Sequence, residues 1–296
     1  GLGNYLKKQT QLQEHIGLLL PNSIAQVVCF FALQFTGRIP AMINFSMSKA
    51  IIQSTIETTG VHQVITSRQF IEIANLEEVV LYLQQHNTTI IYLEDISISI
   101  FSKLYSLIQS KIPKLAYYWT VSKNNRHPEN KGVILFTSGS ENKPKGVVLS
   151  HQNINANRFQ LSSVIDFNPT DRIFNVLPMF HSFGLTAGTL LPLLSGVYTF
   201  HYPSPLHYQI VPEMVYTTNA TILFGTNSFL SGYAKYADPY DFYSLRYVFA
   251  GAEKLYDSIR QQWLDKFGIR ILEGYGATET SPVLTICILD GLRLSP

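Results

Sequence analysis

Short apolar runs separated by amphipathic stretches recur along most of this chain, and that alternation restricts its fold more than any other feature. Ile16-Gly17-Leu18-Leu19-Leu20 is continuous enough to be a strand buried on both faces. Pro21-Asn22-Ser23 then supplies residue types that start helices, so a helix is expected to about Thr36. Ile39 to Asn44 reads as a second strand and Ser48 to Thr59 as a second helix. Further strands are expected at Val61 to Thr66 and Thr89 to Leu93. A helix over about Ile98 to Tyr118 gives way to the polar loop Ser122 to Pro128. The rhythm restarts with strands at 132–137 and 146–149 and a helix from His151. Strands follow near 172–176, 197–202, 221–225, 246–250 and 269–273. Strands without a polar face, alternating with helices, require parallel sheets covered on both sides. The expected fold is therefore α/β with two parallel-sheet subdomains, 16–165 and 166–296. Their boundary falls near Asp166-Phe167-Asn168-Pro169-Thr170, and residues 1–15 are read as the remnant of an upstream element.

Composition contributes mainly exclusions. A net charge of +2 and the lack of any Lys/Arg stripe argue against nucleic acid. Charged residues make up only 14%, against roughly 25% in an average domain. Such a chain either buries a large core or keeps surface for another domain, a membrane or an apolar ligand. Cys29 and Cys287 have no metal-type spacing, which fits a reducing compartment. The longest apolar run, Ile24 to Phe35, is too short to cross a bilayer.

Three stretches carry chemistry. Thr137-Ser138-Gly139-Ser140-Glu141-Asn142-Lys143-Pro144-Lys145-Gly146 lies between two expected strands. Its glycines allow backbone amides to approach an anion, its hydroxyls add donors and its lysines add compact charge, a set suited to polyphosphate. It is not a Walker A loop, because Lys145 precedes Gly146 and a strand follows. By composition alone a polar hairpin turn accounts for it equally well. Pro178-Met179-Phe180-His181-Ser182-Phe183-Gly184 and Gly274-Tyr275-Gly276-Ala277-Thr278-Glu279-Thr280-Ser281-Pro282 each follow a strand. Ligands of open parallel sheets bind outside the carboxyl ends of strands. Taken singly, His181 reads more readily as a core histidine, Tyr275 as a packing residue and Glu279 as an exposed charge.

In this order the three stretches resemble the signature segments of the adenylate-forming, acyl-activating enzymes, and the resemblance covers nearly the whole chain. It implies the large N-terminal domain of that family, built of two parallel-sheet α/β subdomains. It also implies ATP and Mg²⁺, and a reaction in which a fatty acid becomes an acyl-adenylate and then a thioester. By the motifs, Thr137, Ser138, Gly139, Ser140 and Lys145 would cradle the β- and γ-phosphates. Asn142 stands where the wider family commonly has glycine. Gly251, Ala252 and Glu253 would face Tyr275 across adenine, with Gly276 beside it. Thr278 would touch the α-phosphate, Glu279 would hold Mg²⁺, and His181 would stand between acyl and nucleotide sites. His181, Thr278 and Lys145 would be the catalytic residues. An acyl pocket would draw on Phe180, His181, Phe183, Gly184, Gly225 and Thr226, with Phe229 nearby.

Segments outside those motifs are similar to the synthetase part of a bacterial subfamily, the bifunctional 2-acylglycerophosphoethanolamine acyltransferase/acyl-carrier-protein synthetases. They include Tyr202-Pro203-Ser204-Pro205-Leu206-His207-Tyr208, Ala237 to Tyr243 and Ala250-Gly251-Ala252-Glu253-Lys254-Leu255. That similarity implies acyl carrier protein as the thiol acceptor. It also implies phospholipid reacylation, a location in the cytoplasm or at the cytoplasmic face of the inner membrane, and peripheral membrane association through parts outside this chain. No His is followed five places later by Asp, so the acyltransferase signature is absent from these 296 residues. The family's ribose-binding Asp and its mobile C-terminal domain with a catalytic Lys have no match after Pro282. A fragment is therefore expected, inactive alone. A long-chain acyl-CoA synthetase and a catalytically incomplete ATP-binding remnant are the alternatives.

Overall fold

The computed structural model describes residues 1–121, 126–137 and 145–287. The chain divides into two compact units, Gly1–Asn153 and Ile154–Pro296.

In the first unit, α1 (Leu2–Gln9) precedes β1 (His15–Leu18), α2 (Ile24–Phe35) and β2 (Ile39–Met42). Then follow α3 (Lys49–Thr59), β3 (Gln63–Thr66), α4 (Arg68–Ile73), α5 (Glu77–Gln85) and β4 (Thr89–Tyr92). The unit continues with α6 (Ile100–Lys111), α7 (Pro113–Thr120), β5 (Lys131–Thr137) and β6 (Lys145–Ser150). The sheet order is β4-β3-β1-β2-β5-β6. Its strands run parallel except the last pair, β5 and β6, which form an antiparallel edge. Ser23 caps α2, its Oγ accepting from the Gln26 amide at 3.3 Å, as the sequence predicts. The buried core includes Ile39, Ala41, Val64, Leu83 and Ile134. Residues 1–15 belong to this unit: Leu6 of α1 is fully buried, and the α1 backbone receives the buried Arg38 guanidinium, whose Nη2 donates to Lys7 O at 3.2 Å.

The single helix expected over 98–118 is two, because Pro113 lacks the amide to continue α6 and instead opens α7. The expected parallel pairing holds in the interior of the sheet. The edge reverses because only seven residues lie between Thr137 and Lys145, too few for a crossover connection.

In the second unit, α8 (His151–Val164) leads from β6 into β7 (Arg172–Asn175). Next come α9 (Ser182–Leu185), a π-helical turn at Thr186–Leu190, α10 (Leu191–Leu194), β8 (Tyr198–His201) and α11 (Ile210–Thr217). The unit ends with β9 (Ile222–Gly225), α12 (Asn227–Tyr236), β10 (Tyr247–Ala250), α13 (Asp257–Phe267), β11 (Ile271–Gly276) and β12 (Val283–Ile286). The sheet order is β12-β11-β10-β9-β7-β8, parallel except for the antiparallel β11–β12 edge. The boundary lies inside α8, earlier than the sequence places it, because Leu161 and Ile165 pack into the core of the second sheet with Phe224 and Phe249. Trp263 is fully buried, stacked 4.8 Å from Phe242, and its Nε1 donates to Leu230 O at 3.0 Å.

Among the described residues, no helix is long and apolar enough to cross a membrane.

His201, at the end of β8, is expected to make this unit acid-sensitive. Burial pushes its pKa from 6.5 down to about 4. Above pH 6.5 the ring is neutral whether folded or not. Between 6.5 and about 4 the unfolded chain takes up a proton that the folded chain refuses, so stability falls as pH falls through that window. The loss is about 3 kcal/mol at most. His201→Gln is expected to flatten this slope. Urea unfolding at pH 7.5 and pH 5 checks it: an equal loss in parent and variant would remove His201 as the cause.

Candidate active site

Parallel strands release the chain at their carboxyl ends, and three such exits of the second sheet gather around one cleft. His181, Ser182 and Phe183 come from the exit of β7, Gly251 and Ala252 from that of β10, and Gly274 to Thr278 from β11 and its exit. Phe224, Phe249, Leu161 and Ile165 add an apolar floor. The cavity volume is about 170 Å³.

Asn175, the last residue of β7, organises the first exit. It is fully buried, its Oδ1 accepts from the Leu177 amide at 3.1 Å, and its Nδ2 donates to Thr189 Oγ1 at 3.2 Å. The Thr189 hydroxyl in turn donates to Gly184 O at 2.9 Å. The turn after β7 and the helical segment beyond it are thus tied by one strand-end amide. Gly184 lets them close: a Cβ there would stand 2.2 Å from Pro178 O and 2.6 Å from Leu177 O. His181 caps α9, its Nδ1 accepting from the Phe183 amide at 3.4 Å. That role needs an unprotonated Nδ1. The ring meets solvent at the lip of the cleft, yet the protein around it withdraws enough water to lower its pKa, which favours the same neutral form.

The second exit is latched to the start of α12. Tyr256 N donates to Asn227 Oδ1 at 3.0 Å. Glu253 Oε2 accepts from Ser228 N at 2.9 Å and from Ser228 Oγ at 2.7 Å, a carboxylate at a helix amino end. Glu273 of β11 supports the same loop from below: Oε1 accepts from Leu255 N and Oε2 from Arg260 Nη2, both at 3.2 Å. Gly251 lies against Phe183, whose ring would meet a Cβ at 3.0 Å.

The third exit folds back on itself. Ala277 N donates to Pro282 O at 3.0 Å and to Thr280 Oγ1 at 3.1 Å. A Cβ on Gly276 would lie 2.0 Å from Pro282 O, so the tight return needs glycine. Asn157 of α8 holds β12 as a second backbone would: Nδ2 donates to Val283 O at 2.7 Å and Oδ1 accepts from Val283 N at 3.2 Å. Ser182 Oγ and Thr278 Oγ1 stand 3.4 Å apart and join the first and third exits. The Tyr275 side chain presents its ring to solvent, 68% exposed.

Of the residues singled out in the sequence, the cleft gathers His181, Phe183, Gly251, Ala252, Tyr275, Gly276 and Thr278. Phe180, Gly184, Gly225, Thr226, Glu253 and Glu279 do not line it. Gly225 ends β9 against Leu230, and Thr226 caps α12 by accepting from Phe229 N at 3.3 Å. Glu279 is an exposed carboxylate in the Thr278–Thr280 turn. Among the described residues no cluster of three His, Cys, Asp or Glu could hold a metal by itself. Thr137 and Lys145 belong to the first unit, opposite each other across the β5–β6 pair. Ser138, Gly139 and Ser140 lie outside the described residues. Asn175, Asn157 and Glu273, which hold the exits in place, carry no signal in the sequence: Asn175 and Glu273 are lone polar residues in apolar strands, and Asn157 is one of several polar residues on α8.

A family model described as AMP-binding enzyme matches residues 1–295. The chain belongs to the AMP-binding enzyme family. It is 27% identical over 291 residues to 4-coumarate–CoA ligase 1 of Petroselinum crispum, covering 94% of this chain and 50% of that protein. It is 22% identical over 316 residues to a long-chain-fatty-acid–CoA ligase of Haemophilus influenzae, covering 98% and 56%. The chain thus spans about half the length of the curated relatives it matches. Among solved structures, ATP-bound MatB from Rhodopseudomonas palustris aligns with a TM-score of 0.78 at 20% identity, over 99% of this chain and 55% of that one. The anthranilate CoA ligase AuaEII in complex with anthranoyl-AMP aligns with a TM-score of 0.80 at 21% identity, again over 99% and 55%. At that identity the likeness is one of fold, and it supports the α/β architecture expected for the family's large domain.

Proposed function

We propose that this chain is the nucleotide-binding core of an ATP-dependent ligase that activates a fatty carboxylic acid as its acyl-adenylate and passes the acyl group to a thiol. The cleft carries this reading: an exposed Tyr275 ring and the Gly251–Ala252 backbone offer a slot for a flat base, with the Thr278 hydroxyl at its rim. These groups fit a nucleotide, since a base needs apolar planar walls and the α-phosphate needs a donor. Glu279 would hold Mg²⁺ jointly with phosphate oxygens, the usual mode for that ion, and Mg²⁺ would neutralise charge on the leaving pyrophosphate. A carboxylate oxygen of the acid attacks the α-phosphorus, the bond to pyrophosphate breaks, and a thiolate then displaces AMP from the acyl carbon. The chain's own contribution is positioning and charge stabilisation. Neutral His181 stands at the lip of the cleft, where it can orient the acid without adding charge.

The thiol is read as the phosphopantetheine of acyl carrier protein, on the strength of the segments around 202–208, 237–243 and 250–255. Coenzyme A is the second reading, favoured by relatives named as CoA ligases. Exchange of labelled pyrophosphate into ATP, with palmitate and Mg²⁺, tests the first half-reaction in the natural protein that contains this chain. No acid-dependent exchange with any carboxylic acid tried would overturn the proposal. Supplying holo-acyl carrier protein or CoA then separates the two acceptors.

Lys145→Ala is expected to weaken ATP more than AMP by about 1.5–3 kcal/mol, the worth of a hydrogen bond to a charged group. Calorimetric titration with each nucleotide checks this. An equal loss for both would remove Lys145 from the β- and γ-phosphates.

A further inference from the structure

Helix α6 is amphipathic the wrong way round for a soluble surface. Its inward stripe is polar: Ser102, Ser106 and Gln109, spaced at four and three residues, with Asn4 Nδ2 of α1 donating to Gln109 Oε1 at 2.9 Å and Ser106 Oγ at 3.4 Å. Its outward stripe is apolar: Ile100, Phe101, Leu104, Tyr105, Leu107 and Ile108 are all exposed, Phe101 by 85%. Helix α7 extends the same character with exposed Leu115, Tyr118 and Trp119. Turning half-buried Ser102 and Ser106 and buried Gln109 inward while exposing Phe and Ile is costly in water and is explained by an apolar partner.

Charge says which partner. No Asp or Glu occurs between Asp95 and Glu129. Lys103, Lys111 and Lys114 are exposed within or beside the apolar face and have no acidic partner among the described residues. Two copies of this face would oppose like charges. A bilayer with anionic headgroups accepts the apolar side chains beneath and the lysines at its surface. Neither helix is long enough to span, so the pair lies in the plane of the interface.

We infer that α6 and α7 form a membrane-docking face for anionic lipid. This inference stands independently of the reaction proposed above. Such a face would hold the protein at the phase where fatty acids partition.

The test is sedimentation of the 296-residue chain with vesicles. Binding is expected to vesicles of equal phosphatidylcholine and phosphatidylglycerol, little to phosphatidylcholine alone, and less as salt rises. Trp119 fluorescence is expected to shift to the blue on binding. The only other tryptophan, Trp263, is fully buried and stays constant. The variant F101S/L104S/I108S changes only exposed positions and should fold. It is expected to cut the partition coefficient at least about tenfold. K103E/K111E/K114E should abolish the preference for phosphatidylglycerol. Equal binding by the parent and the serine variant, or no sedimentation of the parent with anionic vesicles, overturns the inference. So does a concentration-dependent dimer that the serine substitutions abolish while no vesicle binding is seen, which would make the face a self-association surface.

Discussion

Gly184→Ala is expected to lower unfolding stability by about 3 kcal/mol and to close the cleft to nucleotide. A methyl group at this position would meet two backbone carbonyl oxygens, Pro178 O at 2.2 Å and Leu177 O at 2.6 Å. Neither is the free end of a flexible side chain, so relief requires moving the turn itself. That turn is fixed by Asn175 from beneath and by Thr189, whose hydroxyl bonds to the carbonyl of Gly184. Displacing it moves His181, Ser182 and Phe183 together. Urea unfolding gives the stability change, and ATP titration gives the loss of binding. A stability loss below about 1 kcal/mol would show that the turn yields easily and that the buried amide does not fix it.

Thr278→Val is expected to do the reverse, leaving stability within about 0.5 kcal/mol and slowing acyl-adenylate formation by about 10²–10³, the cost of removing one donor from an oxyanion hole in a well-studied hydrolase. Valine keeps the shape and removes the hydroxyl. The one polar contact given up inside the protein is the 3.4 Å approach to Ser182 Oγ, too long to carry much energy. If Thr278 holds the α-phosphate, acid-dependent pyrophosphate exchange falls in kcat with little change in the KM for ATP, because the lost interaction strengthens as charge builds in the transition state. A fall of less than about fivefold would assign the α-phosphate to another group. Together the two variants separate a residue that shapes the cleft from one that acts in it.

The strands were legible because they are buried on both faces. Ile39–Met42, Ile222–Gly225 and Tyr247–Ala250 are near-continuous apolar runs, and the structure finds each within a residue or two of its expected place. Less was legible where burial is partial. β12 (Val283–Ile286) is a half-exposed edge strand that depends on the side chain of Asn157, more than a hundred residues away in sequence. Helix α1 is short and polar on average, with one fully buried side chain, Leu6. At the site, the motifs identified the residues on the exits but not the groups that place them. Glu253 shows the limit. The family resemblance put Glu253 in a wall facing Tyr275, and its carboxylate bonds Ser228 at the amino end of α12. Gly184 and Gly225 were expected along an acyl pocket; in the structure a Cβ at Gly184 would meet backbone oxygens and one at Gly225 the Leu230 side chain.

The antiparallel edge of the first sheet has a consequence for how this fold can change over time. Five successive register pairs, from Val133 opposite Leu149 to Thr137 opposite Lys145, hold β5 against β6. The pairing of this edge is therefore fixed by side-by-side residues of β5 and β6 themselves. Substitutions and even small insertions between those anchors cost the scaffold little, since loop closure depends only weakly on length. Sequence change between those anchors can therefore proceed separately from change in the strands on either side.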